Sequence, residues 1–165
     1  MENKDLELRM YGLVPYNISP IQQAIQFGHA VVEYGQSVKG TEHEKLYNEW
    51  ADKWKTFIIL NGGTTNDNPL ALGTLNQHLT NLRELGVYCK EFHEPDLGDQ
   101  LTAIVFIVDE RVFNVEKYPH FDIFLQSFGE HNFMNDLELL GQWTELIGGG
   151  KNTALKHFLK NFKLA

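Results

Sequence analysis

The chain has little of what staples a small protein together and little of what holds nucleic acid. Cys89 is the one cysteine in 165 residues, which excludes an internal disulfide and a thiolate metal cluster. No His-x-x-x-His or Cys-x-x-Cys pair occurs, so no metal site and no cofactor is expected. There is no Gly-x-Ser-x-Gly elbow either, which argues against serine hydrolysis. No apolar run approaches the roughly 20 residues that cross a bilayer, and the opening Met1-Glu2-Asn3-Lys4-Asp5 is polar, unlike a signal peptide. A cytoplasmic protein with no membrane partner is expected. Basic residues are scarce: 14 Lys and Arg stand against 22 Asp and Glu, a formal net charge of −8. Lys151, Lys156, Lys160 and Lys163 follow Gly150, where no acidic residue occurs. Without those four, residues 1–150 carry ten basic against 22 acidic side chains, a formal −12. Phosphate backbones are held by neutralising cations, so the body of the chain should repel them.

What is present is a core-forming sequence, 42% hydrophobic and 22% charged, sized for one domain. Residues 8–14 read as a strand ended by Pro15. Ser19, Pro20 and Gln22 then suit the N-cap, the first helical position and the capping-box partner. Ile21, Ala24, Ile25, Gly28, Val32 and Gly35 recur at helical spacing and predict the buried face of that helix. Leu46, Tyr47, Trp50 and Trp54 predict a second amphipathic helix, and residues 56–60 a strand buried on both faces. After a loop from Asn61, Asn68-Pro69 has the chemistry to start a helix carrying Leu72, Leu75, Leu79 and Leu82, which Gly86 stops. Residues 87–92 and 101–108 read as two further strands. Helical crossovers with one short return predict an α/β three-layer sandwich around a four-stranded mixed sheet. Residues 110–165 show only helical spacing, with the triplet at 148–150 reading as a flexible joint. The predicted division is an α/β domain over 1–109 and a helical C-terminal extension over 110–165, packed on that domain or on a second subunit.

Gln22, Gln26, His29 and Glu33 are spaced 4, 3 and 4 apart and share one helical stripe beside the apolar face. They line a cleft at the sheet edge or form a solvated border, and His29 serves either catalysis or a structural hydrogen bond. The helix starts at Ser19-Pro20 and Asn68-Pro69 each follow a strand, as anion-binding helix N-termini do. The turn Gly62-Gly63-Thr64-Thr65 allows close backbone approach to a ligand, or is a plain connection. Glu94, Asp96 and Asp99 concentrate carboxylates between the last two strands, where they act as a base, bind a metal, accept bonds from ribose or amine groups, or form a solvated turn. Cys89, within a strand, reads as core. In the last helix Ala154, Leu155, Phe158, Leu159 and Phe162 form an apolar stripe with Lys156, Lys160 and Lys163 away from its centre. That predicts a helix docked on the acidic body.

The run 18–30, with Ser19-Pro20, Gln22, Gln26 and Gly28-His29-Ala30, resembles the Gln-x-x-His-Ala signature of type 2 peptidyl-tRNA hydrolases. It is more similar still to a shortened, phage-associated branch of that fold. Phe92-His93-Glu94-Pro95-Asp96-Leu97 followed by Leu101-Thr102-Ala103-Ile104 resembles that branch's second motif. The resemblance covers about residues 7–109. It implies the peptidyl-tRNA hydrolase type 2-like sandwich, a pairing habit and hence a homodimer, and a site in which His29, Glu94 and Asp96 are the catalytic candidates. Ser19, Gln22, Gln26, Gly62, Gly63, Thr64 and Thr102 are the ligand-binding candidates. Where the hydrolases carry a lysine, this chain has Gln22. The expectation is therefore a protein that binds, and if active cleaves, a small nucleotide-like or phosphorylated ligand. For a viral gene acting in the host cytoplasm, the purpose implied is to sequester or degrade a host signalling nucleotide. The alternatives are a peptidyl-tRNA hydrolase with tRNA as partner, and a protein-interaction module with a degenerate site.

Overall fold

The computed structural model describes residues 5–129 and 133–165. The chain divides into two compact units. One comprises residues 8–108 with the C-terminal stretch 161–165, the other residues 109–160 with the segment leading into Leu8.

The first unit is α/β. Its elements run β1 (Leu8–Pro15), α1 (Pro20–Ser37), α2 (Glu44–Glu49), a π-helical turn (Trp50–Trp54), β2 (Thr56–Gly63), α3 (Thr74–Glu84), β3 (Cys89–Glu94), a 3-10 turn (Pro95–Leu97) and β4 (Gln100–Asp109). The strands form a four-stranded mixed sheet in the order β2-β1-β4-β3. β1 runs parallel to β2 and β3 antiparallel to β4. β1 and β4 occupy the middle and read as nearly unbroken apolar runs because both their faces are covered.

Side-chain alternation sorts the two faces. Leu8, Met10 and Val14 of β1, with Ala103 and Val105 of β4, pack against Phe27, Ala30, Tyr34 and Val38 on one side. On the other, a Cβ added at Gly62 would meet Leu13 and Leu75 of α3, and Tyr11 stacks on Phe106 at 6.2 Å.

The buried face of α1 differs from the expected one. Gln26, Phe27, Ala30 and Tyr34 point inward, while Ile21, Ile25 and Val32 face outward. The inward face carries two aromatic rings, Phe27 and Tyr34, each removing roughly 150–250 Å² from water, and Gly12 leaves room for the Phe27 ring. The helix start is as expected: Ser19 is extended, its Oγ accepts the Gln22 N–H at 3.3 Å, and Pro20 opens the first turn. The Gln23 amide also donates to the Pro15 carbonyl at 3.0 Å, tying helix to strand. Ser19→Ala should cost about 0.5–2 kcal/mol, read as a lowered urea midpoint; an unchanged midpoint would show that the cap adds nothing.

Three other expectations need correction. β2 is an edge strand, so Phe57 is half-exposed instead of buried on both faces; its ring rests on Phe27 and Trp50. β2 also continues through Asn61-Gly62-Gly63, and its free edge is met by the C-terminal stretch. Leu164 bridges Leu60 antiparallel, Asn61 N–H donates to the Lys163 carbonyl at 2.9 Å, and Ala165 N–H to the Ile59 carbonyl at 3.0 Å. An edge closed in this way is protected from pairing with other chains. Finally, α3 starts at Thr74, not at Asn68-Pro69. The Asn68 side chain accepts the Leu70 N–H at 3.0 Å and its carbonyl the Ala71 N–H at 2.9 Å, so these residues close a turn of their own.

The second unit is helical: α4 (Glu110–Phe113), α5 (Phe121–Gln126), α6 (Phe133–Ile147) and α7 (Gly150–Leu159). Asp109 caps α4 by accepting the Arg111 N–H at 2.9 Å, and its carboxylate takes the guanidinium in a two-point pair. Asn152 of α7 donates to the same carboxylate at 3.2 Å. The glycines after α6 form a defined turn in place of the expected joint. Gly148 and Gly149 have φ of +98° and +104°, the Gly149 N–H returns to the Thr144 carbonyl at 2.8 Å, and a Cβ on Gly148 would strike Arg111. Trp143 N–H donates to the Pro119 carbonyl at 2.8 Å and its ring lies beside Phe121. Lys156, expected away from the centre of the apolar stripe of α7, is only 2% exposed. Its ammonium donates to the Val112 carbonyl at 2.9 Å and the Arg111 carbonyl at 3.4 Å. Those carbonyls end α4, where a helix dipole favours a cation.

Candidate functional site

Two turns into α1, Gln26 meets β3 and β4 through both ends of its amide. Its Nε2 donates to Glu94 Oε2 at 2.6 Å, and its Oε1 accepts from the Thr102 hydroxyl at 2.6 Å. An ionised carboxylate only accepts and a hydroxyl can give one proton, so this orientation satisfies all three groups. That is why an amide can sit 7% exposed in the face of a helix.

A bulge makes the contact. Phe92 pairs with Ala103 but His93 with Leu101, leaving Thr102 as the extra residue of β4. A bulge re-aims a side chain, and here it brings Thr102 to Gln26, with the Phe92 carbonyl 3.3 Å from the same hydroxyl. Glu94 ends β3 and caps the following 3-10 turn, its Oε1 accepting the Asp96 N–H at 3.3 Å. The Gln26 hydrogen bond first, then the Asp96 N–H, hold the Glu94 carboxyl below the usual glutamate range; burial opposes them and the nearby His29 assists. Glu94 is therefore ionised at neutral pH. His29, one turn beyond Gln26, is exposed with its ring 4.6 Å from that of Phe92.

Gln26, His29, Glu94 and Thr102 thus come together, with Gln22 exposed one turn toward the start of α1. Ser19 opens that helix with its hydroxyl engaged in the cap. Asp96 reaches the group through its backbone N–H, its residue being exposed. Gly62, Gly63 and Thr64 lie elsewhere, at the end of β2 on the opposite edge of the sheet from β3, a span of about 14 Å at strand spacing. Their donors are spent locally: Gly63 N–H on Asn61 Oδ1 at 2.9 Å, and Thr64 N–H on Thr74 Oγ1 at 2.8 Å. Thr64 in turn accepts the Leu75 N–H through its carbonyl at 2.9 Å, so the loop closes the start of α3. Burial raises the Cys89 thiol to about 11, which makes it a poor nucleophile. Phe92, the ring beneath His29, escaped sequence reasoning because its place depends on the β3–β4 register. Among the described residues no group of three or more His, Cys, Asp or Glu is disposed to hold a metal ion, and no helix is long and apolar enough to cross a membrane. No family model matches the chain, and no curated protein matches it.

Proposed function

We propose that the Thr102–Gln26–Glu94 relay, with His29 beside it, binds a small nucleotide-like or otherwise phosphorylated ligand on a scaffold of the type 2 peptidyl-tRNA hydrolase kind. The observation that carries this reading is the Glu94 carboxylate, fixed through one oxygen by Gln26 and through the other by the Asp96 N–H. A carboxylate has about four lone-pair sites, so capacity remains for ribose hydroxyls or the amino edge of a base. The ligand's phosphate belongs at the start of α1, near Ser19 and Gln22, where the helix dipole favours negative charge. None of these residues is lysine or arginine, which suits one small anion better than the long polyanion of a tRNA. A carboxylate held ionised is a weak proton carrier at neutral pH. Glu94 is accordingly a positioning acceptor, and cleavage, where it occurs, falls to His29 as base.

Isothermal titration with linear and cyclic nucleotides tests the reading. At least one should bind, and Glu94→Gln, which keeps the shape and removes the charge, should weaken it about tenfold or more. No heat with any member of the panel would overturn the proposal. The position of His29 near an ionised carboxylate also favours a second reading, ester hydrolysis of peptidyl-tRNA. Turnover of diacetyl-lysyl-tRNA that His29→Ala abolishes would establish that reading instead.

A further inference from the structure

We propose that Gln26 is a two-position switch set by Thr102. Its amide turns over when Glu94 loses its charge, and the site accepts a ligand's hydrogen bonds only before that turn. The use of the switch in binding rests on the ligand reading above; the switch itself does not.

Thr102 is 1% exposed, so it touches no ligand and acts through Gln26 alone. Its hydroxyl has one proton and two acceptors within reach, Gln26 Oε1 at 2.6 Å and the Phe92 carbonyl at 3.3 Å. An ionised Glu94 only accepts, so Gln26 offers it Nε2 and leaves Oε1 facing Thr102. The shorter contact then takes the hydroxyl proton. Protonation of Glu94 reverses each of these roles. The new O–H donates to Gln26 Oε1, Gln26 Nε2 donates to Thr102 Oγ1, and the hydroxyl proton turns to the Phe92 carbonyl. All the groups are again satisfied. Any mixture of the two arrangements leaves a buried polar group unpaired, which is costly. The bulge in β4 makes the pair of arrangements possible, because it aims Thr102 at both acceptors.

The surroundings of Glu94 leave Gln26 as its main control. From α1, His29 is the titratable group that acts on it, and the turn supplies the Asp96 N–H. The carboxyls of Asp96 and Asp99 lie in and just beyond that turn. His93, the neighbour on β3, keeps its Nδ1 on the Asp99 carbonyl at 3.0 Å. Arg83 of α3 is taken up by Glu91 at 2.6 Å, and β4 sets the neutral Gln100 opposite Glu94. Hydrogen bonds made to the ionised form lower the pH at which the proton returns. The switch therefore stays in its accepting position through neutrality and turns only as the pH falls through that depressed value.

NMR of the unliganded full chain reads the switch directly. As Glu94 Cδ titrates, NOEs from the Gln26 side-chain amide protons should weaken toward Glu94 and grow toward the Thr102 methyl, with one midpoint. Thr102→Val keeps the shape and removes the hydroxyl, so it should move the Glu94 midpoint upward. It should also weaken nucleotide binding at pH 7 by about tenfold. Thr102→Ser should restore both. A merely structural role for Thr102 would lower stability and leave the midpoint in place. His29→Gln should move the midpoint less than Thr102→Val does. Gln26 NOEs that stay constant while Glu94 titrates, or a midpoint that Thr102→Val leaves unmoved, would overturn the switch whatever binds. No binding by any nucleotide would instead end the ligand reading and the use of the switch in it, with the NOEs still deciding the switch.

Discussion

Gly12→Val should lower the melting temperature by roughly 6–12 °C, corresponding to about 3 kcal/mol for a chain of this size. Gly12 lies in the middle of β1, one of the two central strands, with Gly12 paired to Ile59. A Cβ there would fall inside the van der Waals envelope of the Phe27 ring and within 3.3 Å of the Ile104 carbonyl. The ring has little room to retreat: Phe57 meets it edge-on at 5.1 Å, and Phe27 is 2% exposed. Phe27 follows Gln26 in the chain, so a helix forced outward by the new methyl groups also draws Gln26 away from Glu94 and Thr102. Ligand binding should then fall along with stability. Combining Gly12→Ala with Phe27→Leu separates this clash from a general loss of strand quality. If the clash is the cause, the double variant should be more stable than the sum of the two single losses by about 1 kcal/mol or more. Additive losses in chemical denaturation would refute it.

The central strands were legible because burial on both faces leaves a continuous apolar signature, and the start of α1 because caps act through local chemistry that does not depend on the fold. The facing of α1 was not. Counting aliphatic positions favours Ile21, Ile25 and Val32, but Phe27 and Tyr34 turn inward instead, and the room for the Phe27 ring comes from Gly12, which lies in β1 and not in the helix. Of the site, Gln26, His29, Glu94 and Thr102 could each be picked out by residue type and motif. Their joining could not, since it rests on one extra residue in β4 that no alternation pattern marks. The edge position of β2 was hidden for a related reason: Phe57 is apolar because it covers Phe27 and Trp50, not because both faces of the strand are buried. The glycine triplet read as freedom, whereas positive φ at Gly148 and Gly149 makes it a constraint.

Lys156 should make the helical unit more stable as the solution becomes alkaline, the reverse of what surface lysines do. Burial lowers its pKa from 10.5 to about 8, while an unfolded lysine stays near 10.4. Below pH 8 both states carry the proton, and the folded state bears the full cost of a charge held away from water. Between about 8 and 10.5 the folded lysine releases its proton while the unfolded one keeps it. The unfolded state then binds more protons, so stability rises with pH across that window, by about 3 kcal/mol at most. The carbonyls of Arg111 and Val112 temper the cost, since the ammonium donates to both. Other groups titrate in the same range, so the decisive comparison is with Lys156→Met, which fills the same space without a charge. That variant should lose the alkaline gain while wild-type keeps it, as measured by thermal melts from pH 7.5 to 10.5. His120 supplies a second readout near neutrality. Its pKa is lowered first by burial and next by the charge of Lys156, so its NMR titration should move upward in Lys156→Met. Identical pH profiles for the two proteins, with His120 unmoved, would show that Lys156 carries its charge in contact with water.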